Sequence, residues 1–89
     1  MFYVYILFSL KDRKLYTGKI NDIHRRFQEH SNGEVKSTMK RRPLKLIYFE
    51  AYLTNVEATK REKYLKGGNG KKELEKILED YFKNNPWKK

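Results

Sequence analysis

This chain contains five side chains of the kinds that take part in phosphodiester cleavage. Tyr5 lies in an apolar run, Tyr16 lies in the next one, Arg26 and His30 follow four residues apart, and Glu62 comes later. Two phenols, a guanidinium, an imidazole and one carboxylate can orient water, hold a phosphate and bind a divalent cation. Metal-assisted cleavage of a phosphodiester is therefore the chemistry to test against the rest of the sequence.

Tyr5 and Tyr16 belong to segments that read as neighbouring strands of a hairpin. Paired on adjacent strands, they could present two phenols on one face, and Gly18 would leave room for a ligand. A phenol beside a metal-bound water and a cation can act as a general base. Tyrosines are also common in half-buried strands, so a structural role is the alternative interpretation.

Arg26 and His30 are about one helical turn apart, and the helical projection turns both toward the face marked by Ile23 and Phe27. An arginine there can clamp a phosphate, and a histidine can bind a phosphate oxygen or relay a proton. In the structural alternative, Arg26 extends over the edge of the core and His30 caps the end of the helix.

Glu62 projects between Ala58 and Leu65 on the inward stripe of a later helix, where an unpaired carboxylate is costly. It is the one acid that the pattern clearly places in this way. Its expected partner is a divalent cation, or else Arg26 or another basic residue in a structural ion pair. A single acid favours one metal ion rather than two.

The elements that must position these residues are predicted to form an α+β fold of the order β-β-α-β-α-α. Alternating and apolar runs indicate three strands, and capping signals at Asn21 or Asp22 and at Thr54-x-x-Glu57 indicate two helix starts. An amphipathic stripe indicates a last helix, and the glycines at 67–70 indicate a break before it. The predicted strands are 2–8, 15–19 and 44–52, the second helix ends near residue 66, the core spans 2–66, and the last helix spans about 71–84.

The charge of the chain favours a polyanionic partner. Its 89 residues include 21 Lys and Arg against 11 Asp and Glu, a formal net charge of +10 at pH 7. Such an excess in a short chain favours nucleic acid, with DNA first, over an anionic membrane, because no basic amphipathic helix with an exposed aromatic face stands out. A basic surface that serves only solubility is the alternative.

The length supports one modest core, so we predict a single domain over residues 1–89. The absence of cysteine excludes disulfides and zinc–thiolate sites. The chain starts directly with strand-like sequence instead of a signal peptide, and no apolar run approaches membrane-spanning length. We therefore expect a cytoplasmic protein.

The ordered set of these motifs resembles the GIY-YIG nuclease domain, specifically small stand-alone members similar to the amino-terminal domain of an excision-repair endonuclease. The resemblance runs from Tyr3 to about Lys66, and the last helix is typical of the small members. The motifs are, in chain order, Tyr3-Val4-Tyr5, Tyr16-Thr17-Gly18, residues 21–30, Arg42-Pro43-Leu44 and Glu57-Ala58-x3-Glu62-Lys63. Tyr3 replaces the first glycine of the family motif, and Val4 and Thr17 replace its isoleucines.

The resemblance implies an antiparallel three-stranded sheet flanked by helices, an α/β sandwich with a shallow site on one sheet face. It makes Tyr5 and Tyr16 the site tyrosines, one of which orients or deprotonates the attacking water. Lys19 matches a position where a basic residue often assists.

The resemblance also implies how the substrate is held. Arg26 would bind the scissile phosphate and stabilise the transition state, and His30 would contact phosphate or relay a proton. Glu62 would be the sole protein ligand of one Mg²⁺ or Mn²⁺ ion. Asn69 is a candidate for the family's late asparagine, although it lies in the glycine run and closer to Glu62 than the family pattern expects.

We therefore predict a divalent-metal-dependent DNA endonuclease of low sequence specificity, with a structure-specific role in DNA repair or processing as one option. Phosphate contacts along the flanking backbone are expected from a basic loop. Its candidate residues are Lys36, Lys40, Arg41 and Arg42. The alternatives are a DNA- or RNA-binding module without catalysis and a protein-interaction module. A homodimer is compatible with the pattern, since one site cuts one strand.

Overall fold

The computed structural model describes residues 1–88, which form a three-stranded antiparallel sheet with helices packed against it. The strands are β1 (Phe2–Ser9), β2 (Leu15–Ile20) and β3 (Leu44–Tyr52). The helices are α1 (Ile23–Ser31), α2 (Asn55–Lys66), α3 (Gly68–Ile77) and α4 (Glu79–Asn84), with a short 3₁₀ turn at Met39–Arg41. The predicted fold class and element order are confirmed.

The strand β1 lies at the centre of the sheet, and its alternating side chains supply both cores. The strand order is β2-β1-β3, with antiparallel pairing on both sides of β1. Val4 and Ile6 face α2 and α3, whereas Tyr5 and Leu7 face α1. This division follows from the period of two in an extended strand. A bulge at Ile47 interrupts the pairing of β3 with β1.

The capping residues predicted from the sequence start the first two helices. The Asp22 carboxylate accepts a hydrogen bond from the backbone N–H of Arg25, and the Thr54 hydroxyl accepts one from that of Glu57. These contacts satisfy backbone donors that a helix leaves open at its start. None of the helices within residues 1–88 has the length and apolar character needed to cross a membrane.

The predicted start of the C-terminal helix near residue 71 is wrong, whereas the preceding helix ends at Lys66 as predicted. Only Gly67, with an extended backbone, separates α2 from α3, and Gly68 to Gly70 are helical. Gly70 packs so closely on α2 that a Cβ there would lie 2.1 Å from the carbonyl oxygen of Tyr64. The glycine therefore permits helix contact rather than ending a helix. The predicted single helix is also divided at Leu78.

A network centred on Glu50 joins β3 to the helices on one sheet face. Arg61 donates to both oxygens of Glu50, at 2.8 and 2.9 Å, and the hydroxyls of Tyr48 and Tyr52 donate at 2.5 and 2.6 Å. Arg61 also pairs with Glu73 of α3. Burial acts to raise the pKa of Glu50, but these hydrogen bonds outweigh it and lower the pKa to about 2.

The Glu50 side chain is 15 % exposed, against 19 % for Glu62. The expectation that Glu62 is the one inward acid is therefore wrong. The alternation of polar and apolar residues in β3 does not predict the burial of Glu50. A strand residue that pairs with a helix arginine looks like an ordinary polar position in the sequence.

We expect Gly70→Ala to lower the free energy of unfolding by about 2–3 kcal/mol, because its Cβ would collide with the backbone of α2. Gly68→Ala is the matched control, since a Cβ there meets nothing within 4 Å and alanine favours a helix by about 1 kcal/mol. Urea unfolding of both variants measures the difference. Equal effects would contradict the close approach of α2 and α3.

The Glu50 network also predicts a pH dependence. The lowered pKa of Glu50 means that its contribution is complete above about pH 4.5 and is lost as the pH falls toward 2. Glu50→Gln should cost about 2 kcal/mol at pH 7 and remove this part of the acid sensitivity. Other acid-sensitive groups are common to both proteins, so urea unfolding at pH 7, 4 and 3 isolates Glu50. Parallel losses in both proteins would contradict the network.

Candidate active site

The predicted site residues from the sheet meet at the outer edge of β2. Tyr5 of β1 is paired with Gly18 of β2, and its ring lies over that glycine. A Cβ on Gly18 would lie 2.3 Å from the Tyr5 hydroxyl oxygen. Because glycine has no side chain, the Tyr5 ring can extend across β2 toward its unpaired edge. Tyr16 lies beside it, with ring centroids 6.3 Å apart.

A chain of buried hydrogen bonds runs from Tyr5 into the protein. The Tyr5 hydroxyl lies 2.9 Å from His30 Nε2, and His30 Nδ1 lies 2.7 Å from the Thr38 hydroxyl. His30 and Thr38 are fully buried, and Tyr5 is 2 % exposed. The His30 ring also stacks edge-on with Tyr16 at 5.1 Å. Both nitrogens of the imidazole are thus occupied within the protein.

Thr38 was missed by the sequence analysis. It lies in the basic stretch that was interpreted as a nucleic-acid-binding loop, and the structure turns part of that stretch inward at Val35 and Thr38. A single threonine among lysines and arginines carries no periodic signal. Only the helix end at Ser31 and the 3₁₀ turn at Met39–Arg41 bring its hydroxyl back to His30.

Burial keeps the imidazole and the phenol neutral at neutral pH. It raises the pKa of Tyr5 to about 12; Tyr16 and Glu62 add to this effect, and the Arg26 guanidinium opposes it. Burial, aided by the charge of Arg26, lowers the pKa of His30 to about 4. Glu62 is the smallest of the charges that raise the pKa of Tyr5, and it belongs to α2, which packs on the opposite sheet face.

Arg26 of α1 lies beside this pair with part of its guanidinium accessible. Its Nη1 donates to Glu29 at 3.0 Å, which raises the pKa of Arg26, and its side chain is 33 % exposed. Its Nε is buried and has no hydrogen-bond partner in the described part of the chain. An unpaired buried donor is costly. A guanidinium with spare donors beside two phenols is suited to an anionic oxygen.

A polar row on α2 forms the other side of the site. Asn55, Thr59, Glu62 and Lys66 follow one another at helical spacing along one face. Lys19 of β2 donates to Asn55 and Thr59, both at 2.7 Å. Lys66 lies 3.3 Å from Glu62 Oε2. Lys19, the basic residue predicted to assist, is therefore held by hydrogen bonds to α2. Glu62 is paired with Lys66 rather than with Arg26.

The donor set at Glu62 fits one kind of metal. No group of three or more His, Cys, Asp or Glu residues in positions 1–88 could enclose an ion. A cation at Glu62 would therefore complete its coordination with water and phosphate oxygens, as Mg²⁺ commonly does. The Lys66 ammonium now occupies this carboxylate, so a single Mg²⁺ or Mn²⁺ ion would fit Glu62 only by displacing Lys66.

Some of the remaining predicted nucleic-acid-binding residues are exposed, whereas Arg41 is bound within the protein. Lys36, Lys40 and Arg42 are exposed. Arg41 instead binds Asp12, with Nε 2.6 Å from Oδ2, and donates to a backbone carbonyl of β2. Asn69 lines a separate groove on α3 and is not brought together with the residues at the β2 edge.

The chain belongs to the GIY-YIG family, because the GIY-YIG catalytic domain matches residues 1–77. This confirms the resemblance noted from the sequence and supports a nuclease-type function with a nucleic acid substrate.

More particularly, the chain is similar to small proteins named UPF0213. One from Clostridium perfringens is 40 % identical over 90 residues, which span 100 % of this chain and 96 % of that protein. One from Staphylococcus saprophyticus is 44 % identical over 78 residues, covering 86 % and 94 %. The solution NMR structure of the UPF0213 protein BH0048 from Bacillus halodurans shares 34 % identity and has a TM-score of 0.54, covering 86 % of this chain and 85 % of that one.

The buried hydrogen bonds predict a specific cost for losing the Thr38 hydroxyl. Thr38→Val keeps the shape but leaves the Nδ1 of His30 without its partner, so we expect a loss of about 1–3 kcal/mol in unfolding free energy. Thr38→Ser keeps the hydroxyl and should lose only about 0.8 kcal/mol for the missing methyl. Chemical denaturation checks both. A valine variant as stable as wild type would show that His30 does not depend on Thr38.

Proposed function

We propose that this protein is a divalent-metal-dependent DNA endonuclease of low sequence specificity. The observation that carries the proposal is the convergence at one strand edge of Tyr5, Arg26 and Glu62, which come from β1, α1 and α2. These three kinds of group can orient water, hold a phosphate and bind a metal ion, and the family model is that of a catalytic domain. Membership in that family supports nuclease chemistry at this convergence.

Arg26 is the residue suited to the scissile phosphate. Its side chain is 33 % exposed, so a phosphate can reach part of the guanidinium beside the bond to Glu29. A fixed positive charge at the phosphate stabilises the negative charge that grows as water attacks. When bound at Glu62, a Mg²⁺ or Mn²⁺ ion would supply a more acidic water and polarise the phosphate.

The two tyrosines take different parts in this proposal. With a pKa near 12 and almost no exposure, Tyr5 remains a phenol that fixes the geometry of the site. Tyr16 is partly exposed and is the phenol that can contact the attacking water. His30 is fully buried against Tyr5, so its part is to hold that phenol in place by a hydrogen bond, not to touch the phosphate.

The exposed residues Lys36, Lys40 and Arg42 would hold the flanking backbone of the nucleic acid. Contacts of this kind are made to phosphate, so affinity should fall steeply with salt and depend little on base sequence. Arg41 is left out of this set, because its guanidinium already binds Asp12.

One observation favours a binding module without catalysis as the second candidate. The pKa of Tyr5 lies near 12 and that of His30 near 4, so neither group is poised to exchange a proton near pH 7 in the free protein. A site of this kind could bind nucleic acid and leave the phosphodiester intact.

A nicking assay separates the two candidates. Wild type should nick supercoiled or branched DNA at low salt with Mg²⁺ or Mn²⁺, and Glu62→Gln should reduce the rate about 100-fold or more while DNA binding persists. Glu79→Gln, an exposed position on α4, is the control with the same change of charge.

Binding by all three proteins without nicking would favour the binding module. Equal nicking by wild type and Glu62→Gln would contradict the assignment of Glu62 and indicate a contaminating nuclease. Parallel assays on RNA of the same sequence decide whether the substrate class extends beyond DNA.

A further inference from the structure

A groove beside the candidate active site contains two lysines that the proposed chemistry does not use. It lies between β2 and the helices α2 and α3 and has a volume of about 170 Å³. Its lining consists of Leu15, Tyr16, Thr17, Lys66, Lys71 and Leu74. Tyr16 lines this groove and also belongs to the candidate active site, so the two are neighbours at the edge of β2.

We propose that this groove binds a phosphodiester group of the nucleic acid strand next to the scissile phosphate. The inference rests on the proposed function of the β2 edge. Leu15, which is partly exposed, supplies aliphatic surface for a sugar, and Lys66 and Lys71 supply two ammonium groups for the phosphate between nucleotides. Such contacts hold backbone and ignore base identity, in agreement with low sequence specificity.

The charge of the lining distinguishes this groove from its neighbours. Two other grooves on α3 also contain lysines, but Glu73 lines one of them and Glu75 lines the other. The groove at β2 has no acid in its lining. A phosphate there would meet two ammonium groups next to the residues proposed to cut. That of Lys66 also lies 3.3 Å from Glu62, and Lys71 also lines the groove that contains Glu75.

The two lysines can both reach a phosphate at little cost. Lys71 is exposed and has no ion-pair partner among the residues that the structure describes. Lys66 is 56 % exposed and its bond to Glu62 is 3.3 Å long, which is the kind of surface pair that contributes at most about 1 kcal/mol. Lys66 can thus leave Glu62 for a phosphate when another cation neutralises that carboxylate.

The test is the salt dependence of DNA binding, measured without turnover. Fluorescence anisotropy with a labelled branched DNA in EDTA, from 50 to 300 mM KCl, gives the slope of log Kd against log [salt] for wild type and each variant. Each phosphate contact contributes ~0.9 to this slope. We expect Lys71→Met to lower the slope by about that amount in EDTA, where Lys66 stays on Glu62. Lys66→Met should lower it by as much again only in a Glu62→Gln background, where no carboxylate holds Lys66.

Lys45→Met is the matched control, because it removes the same charge from β3 at the opposite edge of the sheet. Its slope should remain that of wild type. A neutral methylphosphonate scanned along the bound strand locates the contact: at one position it should weaken wild type and leave Lys71→Met unchanged.

The outcomes separate this inference from the proposed function. Slopes of the Lys66 and Lys71 variants equal to that of Lys45→Met would overturn the groove as a phosphate site, even if wild type nicks DNA. Lowered slopes in a protein that never nicks would support the groove and count against the nuclease. Failure of wild type to bind DNA at 50 mM KCl would overturn both.

Discussion

The position of one ring, that of Tyr5 over Gly18, governs the arrangement of the surrounding elements. The ring fits only because residue 18 has no side chain, and its hydroxyl then meets His30 of α1. His30 in turn holds Thr38, so a helix and a loop are both fixed from the central strand. Buried polar groups are stable only when paired, and each member of this chain supplies the partner of the next.

The site lies at a strand edge because that is where the two sheet faces meet. Arg26 reaches it from the face covered by α1, and Glu62 reaches it from the face covered by α2. In the interior of the sheet the backbone of β1 would separate them. The edge strand β2 is short and carries glycine where the Tyr5 ring crosses it, so side chains from both faces come near each other there.

The sequence alone locates the strands and helices whose signals lie within a few neighbouring residues. Period-two alternation located β1, and the caps at Asp22 and Thr54 located the starts of α1 and α2. The sequence does not decide the role of the glycines at 67–70, because glycine can end a helix or allow another helix to pack closely against it. Only the carbonyl of Tyr64, which touches Gly70, decides between these uses.

Within the site, sequence spacing brought Tyr5, Tyr16, Arg26 and His30 to one face, but it could not supply their partners. Thr38 is joined to His30 across a loop without periodicity. Arg41 was expected at the surface and is drawn to Asp12 of the hairpin turn. Both contacts depend on the path of the loop between α1 and β3, which composition alone does not define.

The bulge at Ile47 has a consequence for how the protein behaves when it is concentrated. The outer edge of β3 is unpaired, and Phe49, next to the bulge, is 51 % exposed. A long, regular and apolar edge of this kind would template the addition of further strands from other molecules. The bulge breaks the repeat of backbone donors and acceptors and twists the strand, so an incoming strand cannot stay in register along its length. The irregularity thus protects the molecule from self-association into extended sheets.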